Sequence, residues 1–318
     1  MAIIEKYSFI NHIFPMKKRS LLFLFLVLAC VNLSAWNRLG HYAIAQIAND
    51  HLTSRAKKAL LKQMNGAPIM AYGSDADAYR PYWITDIGFI PEDIDDIRPE
   101  NVTYLAGFDY SLPYNFTPYP HCITIKKNGE SYRDIRDGDR YIHNAAWYVA
   151  DFAKKLKDGS LNDEQGKIAV CLIIHFIGDM HNPNHIYYDS DDIKIGRYPI
   201  EYKGKRMKFH AFWDSEILNI YPNSGKDLAA LVDQCSQKEI REITKGDVFD
   251  WAADSGKSCR PIIEEYMPSV EADKNGGALN ITPVSLPQNY PRENRELLFN
   301  QLRKAGYRLA KILNEIYK

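Results

Sequence analysis

Charge of one sign is missing from this chain: 40 Lys and Arg balance 40 Asp and Glu over 318 residues. A nucleic-acid binder that relied on basic side chains would carry an excess or a patch of them, and no basic patch stands out along the sequence. That exclusion lapses if bound metal ions supply the positive charge, because a count of side chains omits them. Cysteine is scarce as well, five in all and widely scattered, which excludes a disulfide scaffold. Cys235 and Cys259 could pair in an oxidising compartment, whereas Cys171 sits in an apolar run and reads as core. Internal repeats and low-complexity tracts are absent, and few segments alternate as strands do.

What is present begins at the N-terminus. MKKRS, Met16 to Ser20, precedes LLFLFLVLACVNLSA, an arrangement of basic region, apolar region and small residue that reads as a secretory signal peptide over residues 1–35. The fifteen residues before Met16 do not fit such a leader, so Met16 reads as the true start. The apolar run is shorter than the ~20 residues of a membrane span, and export to the periplasm or exterior is expected rather than retention. Cleavage after Ala35 would make Trp36 the first residue. The competing site is Val27-Leu28-Ala29-Cys30, which would leave a lipid anchor on Cys30.

From Trp36 onward the apolar spacing is mostly helical. Helices are expected in WNRLGHYAIAQIANDHL, SRAKKALLKQMNG (stopped by Gly66), RYIHNAAWYVADFAKKLKDG and DEQGKIAVCLIIHFIGDMH. Others are expected in HAFWDSEILNIY, KDLAALVDQCSQ, KEIREITKGDVFDWAADS and ENRELLFNQLRKAGYRLAKILNEIYK. The fold class is therefore all-α, a single multi-helix domain over 36–318. One long irregular loop at 81–120 interrupts it, with six prolines among Tyr and Asp residues; loops of that length are usually lids or family-specific insertions.

Histidine is used unevenly. Of nine, three fall in the eleven residues HFIGDMHNPNH, His175 to His185. At about 100° per residue, His175 and Asp179 lie within ~40° of each other on one helix face. Pro183 should end that helix and leave His185 in the following turn, while His181 points elsewhere. The flanking AVCLIIHFIG is apolar nearly all round, so the helix is central. A charged Asp inside such a core is costly unless paired or coordinated. His210 and Asp214 repeat the H-x-x-x-D spacing in FHAFWDSEIL. Imidazole and carboxylate together suit zinc first, then manganese or iron.

These residues resemble the zinc-dependent single-strand nucleases and 3′-nucleotidases of fungi, plants and bacteria, a family that shares its fold with bacterial zinc phospholipase C. The family's opening W-x-x-x-G-H is matched by Trp36, Gly40 and His41. Its H-x-x-G-D-x-x-x-P-x-H is matched by His175, Gly178, Asp179, Pro183 and His185, and its H-x-x-W-D by His210, Trp213 and Asp214. An isolated histidine before an apolar stretch is matched by His121. The family's A-D-x-[IY]-R segment is matched in SDADAYR by Asp77 and Arg80, with Asp86 as the rival ligand. The chain departs from the pattern at Asp75 and in a longer gap to His121.

The resemblance implies three zinc ions in a cleft of a monomer. One would take Asp77, His121, His175 and Asp179, a second His185, His210 and Asp214, and a third His41, Asp179 and the amine and carbonyl of Trp36. Asp77 and Arg80 would be catalytic, Arg80 steadying charge on the phosphoryl oxygens. The implied substrates are single-stranded nucleic acid or a 3′-nucleotide, with 5′-phosphorylated products. The alternatives are a phospholipase C and a non-catalytic zinc-binding protein. Among the histidines that the motif positions do not assign, His181 reads either as a partner that orients a ligand or as solvent-facing, and His51 and His143 read as structural. Tyr104, Tyr110 and Tyr114 either stack bases or pin the loop. Asn101, Asn115 and Asn280 lie in sequons that matter only in a eukaryotic secretory pathway. The basic stretch RKAGYRLAK reads as a solvated helix face.

Overall fold

The computed structural model describes residues 36–70, 121–189, 199–266 and 283–318. The leader, with Met16, Cys30 and Ala35, lies outside them. So do Asp77, Arg80, Asp86, the 81–120 loop with its tyrosines, and the three sequon asparagines. The described residues belong to one compact unit, Ala35–Lys318.

The architecture is helical, as the periodicity predicts. Helix α1 (Arg38–Asp50) opens on an Asn37 cap whose side chain accepts from the Leu39 and Gly40 amides, and α2 (Ser54–Gln63) follows. After short strands β1 (Ile123–Ile125), β2 (Arg136–Asp137) and β3 (Arg140–Tyr141) come α3 (Ala145–Asp158) and α4 (Asp163–Asp179). Helix α4 starts in a reciprocal capping box between Asn162 and Gln165, which satisfies amides that the first turn leaves unpaired. It ends at Asp179, and a 3₁₀ turn at Pro183–His185 leads into β4 (Ile186–Tyr188). A hairpin of β5 (Pro199–Tyr202) and β6 (Lys205–Lys208) precedes α5 (Phe209–Asp214).

The C-terminal part holds α6 (Gly225–Val232), α7 (Gln237–Ile243), α8 (Val248–Tyr266), β7 (Val284–Ser285), α9 (Tyr290–Glu293) and α10 (Arg295–Ile316). Within the all-α class, the sequence reading merged α7 with α8. The structure breaks the run at Gly246, where φ is +77°. Asp247 then accepts from the Phe249 and Asp250 amides while Asp250 accepts from the Asp247 amide. That local cap restarts the helix. The expected helix HAFWDSEILNIY likewise splits into α5 and a 3₁₀ turn at Glu216–Ile220.

Helix α4 is the centre of the molecule: every described side chain from Ala169 to Asp179 is buried. Helices α1, α3 and α10 pack against it, and α10 also lies along α1. This packing overturns one reading. The stretch RKAGYRLAK is no solvated face, because Ala305 to Ala310 are buried in it and Arg308 is only 3% exposed. No described cysteine forms a disulfide. Cys235 is half-buried and Cys259 fully buried, and Gln301 Nε2 donates to the Cys259 sulfur at 2.7 Å. Burial pushes that thiol up to about 12. Cys171 is core, and no described helix is long and apolar enough to cross a membrane.

Candidate metal centre

Five short segments from four regions of the chain deliver the site. The end of α4 supplies His175 and Asp179, and the first turn of α1 supplies His41. The turn beyond α4 supplies His185, and α5 supplies His210 and Asp214. His121 enters from the residues just before β1, which pairs in parallel with β4, so His121 and His185 precede neighbouring strands.

Three groups of donor atoms converge. In the first, the Asp179 carboxylate stands 3.2 Å from His41 Nε2 through one oxygen and 3.0 Å from His175 Nε2 through the other. The two imidazoles stack with centroids 4.7 Å apart. In the second, His210 Nε2 lies 3.0 Å from one Asp214 oxygen and 3.1 Å from His185 Nε2, and His185 Nε2 lies 3.8 Å from the other oxygen. His121 joins a third group with Cys122 and His185. Its ring centroid is 4.9 Å from that of His185 and 6.1 Å from that of His175.

Burial makes these groups unusual. Asp179 is fully buried, His210 is 29% exposed, and the other donors lie between. Neither Asp179 oxygen nor Asp214 Oδ2 accepts a well-directed hydrogen bond among the described residues. His210 Nε2 faces both the His185 nitrogen at 3.1 Å and an Asp214 oxygen at 3.0 Å, and a single proton on that nitrogen cannot point at both acceptors. Ligands arranged tetrahedrally at about 2.0–2.1 Å from a zinc ion stand about 3.3 Å from one another, and the observed separations bracket that value. The residues fit a cation. The electrostatics agree: burial pushes the Asp179 carboxyl up, but His175, His185 and His41 pull harder and hold it well below the usual carboxylate range. Burial lowers His210, and the Asp214 contact overrides it and raises the imidazole.

Around the donors lies a supporting layer of contacts, of which Asn182, Cys122 and the indole of Trp36 were not named from the sequence as part of the site. Asn182 Nδ2 donates to Asp214 Oδ1 at 3.0 Å and Trp36 Nε1 donates to the Gly178 carbonyl at 3.0 Å. Cys122 Sγ sits 3.7 Å from His185 Nδ1, the ring nitrogen turned away from Asp214. Asn182 stands inside the H-x-x-G-D-x-x-x-P-x-H motif, so a search for side-chain partners within it would have raised it; Trp36 was raised as a ligand through its amine and carbonyl, not through its indole. Cys122 adjoins His121 but carries no periodic signal.

His181, which the sequence left between two roles, is not solvent-facing. It is fully buried. Its Nδ1 lies 2.7 Å from the Ile177 carbonyl and its Nε2 2.8 Å from Arg308 Nη1. The guanidinium can only donate, so Nε2 accepts and Nδ1 carries the proton. Burial first, and then the Arg308 charge, hold the imidazole well below its ordinary range. Arg308 also donates to Asp254 at 2.6 Å and to the Ile243 carbonyl at 3.1 Å. His51 and His143 serve structure, His51 against Asp233 at 3.0 Å and His143 beside the Tyr187 ring.

The chain is similar to known nucleases along most of its length. Over 301 residues the chain is 22% identical to Endonuclease 2 of Arabidopsis thaliana, covering 92% of this chain and 94% of that one. It is 23% identical to Nuclease P1 of Penicillium citrinum and 22% to Nuclease PA3 of a Penicillium species. Each of those alignments covers 89% of this chain and 98% of the relative. The S1/P1 nuclease profile matches residues 36–318, from the buried tryptophan before α1 to the last residue, and the chain belongs to that family.

Proposed function

We propose that the protein is an exported zinc phosphodiesterase. It hydrolyses single-stranded DNA or RNA to 5′-phosphorylated products and also removes phosphate from 3′-nucleotides. The observation that carries this reading is the convergence of imidazole nitrogens and buried carboxylates in two adjacent groups, on a chain of the S1/P1 nuclease family. Export is supported by the leader pattern and by a family match that begins at Trp36.

In this reading His185, His210 and Asp214 hold one ion, and His41, Asp179 and the Trp36 amine and carbonyl hold another. Asp77, His121, His175 and Asp179 hold the third, and Asp77 is preferred to Asp86. Bound zinc supplies Lewis-acid chemistry, polarising a phosphoryl oxygen and acidifying water to near-neutral pKa. The chain's own groups do the rest. Asp179 and Asp214 bring the negative charge that keeps cations in a buried site. The Asn182 amide fixes the Asp214 carboxylate, and the Trp36 indole ties the start of the mature chain to α4. Arg80 donates to the phosphoryl oxygens as charge grows on them.

The test is metal analysis of the mature protein together with turnover of single-stranded DNA, 3′-AMP and phosphatidylcholine. Cleavage of the first two is expected. Hydrolysis of phosphatidylcholine alone would make it a phospholipase C, and zinc-loaded protein inert on all three would make it a non-catalytic zinc binder.

A further inference from the structure

Two of the candidate metal ligands lead directly into paired strands. His121 and Cys122 run into β1 and His185 runs into β4, in parallel register with Ile123 opposite Ile186 and Ile125 opposite Tyr188. The ribbon rises about 3.3 Å per residue, so its far end lies roughly 10 Å along the strand from His185. At that end a cavity of about 730 Å³ opens between the turn after β1 and helix α8. Its wall carries Lys126, Lys127, Lys257 and Arg260, with Ile125 and Tyr188 from the ribbon beneath.

Four cations to one carboxylate line this wall, in a chain whose formal charge is zero. That carboxylate, Asp254, is already engaged by Lys304 at 2.9 Å and Arg308 at 2.6 Å. Asp189, which follows Tyr188, is engaged by Arg140. Arg260 is held in place, its guanidinium 4.7 Å over the Tyr188 ring and its Nε 2.6 Å from Glu264. Lys126 lies 5.0 Å over the Tyr132 ring, and its carboxylate partner among the described residues, Glu130, is distant at 4.0 Å. Lys127 and Lys257 are exposed and make no ion pair among the described residues. Four cations around a concavity of this size match several phosphates of one strand better than a single small anion.

We propose that this pocket is a phosphate-binding subsite for single-stranded nucleic acid, engaging the backbone of a strand whose reacting phosphate sits at the metal centre. The geometry rests on the nuclease reading of that centre, but the binding can be measured without turnover. The probe is a fluorescent, phosphorothioate-linked 12-mer of thymidylate, chosen to resist cleavage, titrated onto the zinc-loaded mature protein at several salt concentrations. In K127Q/K257Q the Kd should rise on the order of tenfold at 0.1 M salt, and the log–log salt slope should fall by about 1.4, two phosphate contacts at ~0.7 each. K127R/K257R, which keeps the charges, should bind like the parent. Turnover of thymidine 3′-phosphate should be unchanged in both variants. An unaltered Kd and slope in K127Q/K257Q would overturn the subsite. So would an equal loss on the mononucleotide, which would put the effect at the metal centre. A parent protein that turns over neither ordinary single-stranded DNA nor thymidine 3′-phosphate but binds the 12-mer through these lysines would defeat the proposed activity and leave the subsite standing.

Discussion

The His41 imidazole occupies the space that a side chain on Gly178 would need. A methyl group there would stand 2.7 Å from both Cε1 and Nδ1 of the ring. The family's H-x-x-G-D spacing therefore has a steric reason: α1 brings its histidine against the backbone of α4, one residue before Asp179. Gly178→Ala should cost about 1–3 kcal/mol through overpacking and push His41 away from Asp179. Chemical denaturation and zinc content check it, with both expected to fall.

Asp179 stands between His41 and His175, and neither of its oxygens accepts a well-directed hydrogen bond among the described residues. Asp179→Asn keeps the shape and removes the charge, so zinc content and turnover should be lost together. Retention of both would remove Asp179 from the bridging role.

Arg308 anchors the end of α4 through His181 while tying α10 to Asp254 and to the Ile243 carbonyl. Arg308→Met should destabilise the protein by about 2–4 kcal/mol, below the ~3–5 kcal/mol of a fully buried pair because Asp254 is partly exposed. Urea denaturation of Arg308→Met and of Arg308→Met/Asp254→Asn checks this, and the double variant should recover part of the loss.

Burial pushes the Asp254 carboxyl up, but Arg308 and Lys304 outweigh it and leave the group below its usual range. A carboxyl depressed in the folded state adds stability that is full above its unfolded pKa, about 3.9, and fades as pH falls through the folded value. The stability difference between the parent and Asp254→Asn should therefore be constant from about pH 7 to 5 and shrink below about pH 4. Denaturation midpoints at stepped pH supply the measurement.

If the Trp36 amine is a ligand, an uncleaved residue before it should lower occupancy of one zinc and spare the other two. Metal stoichiometry of a variant carrying one extra N-terminal residue reads this directly, and three zinc ions per chain in that variant would exclude the amine.

Much of the site was legible because its signals are local. The i,i+4 pairs His175/Asp179 and His210/Asp214 follow from helix pitch, and Pro183 marks where α4 must have ended. The supporting partners were not legible. Arg308 looked like one more cation on an amphipathic helix, and nothing within nine residues of it says that its guanidinium meets His181, 127 positions earlier. The break between α7 and α8 was missed because the apolar pattern continues across a cap made by two aspartates.

The sequence by itself determined the helices, the order of the motifs and the donor types, because periodicity, capping and side-chain chemistry act within a few residues. Tertiary structure alone decided what those donors meet. Packing α1, α4, α5 and α10 into one core brought His41 to Asp179 and buried both, and it converted Arg308 from a surface charge into an anchor. The parallel pairing of β1 with β4 and the approach of α8 likewise assembled Lys126, Lys127, Lys257 and Arg260 into one basic wall. Net composition had shown no such patch, since charges separated by 130 positions act together only when folding makes them neighbours.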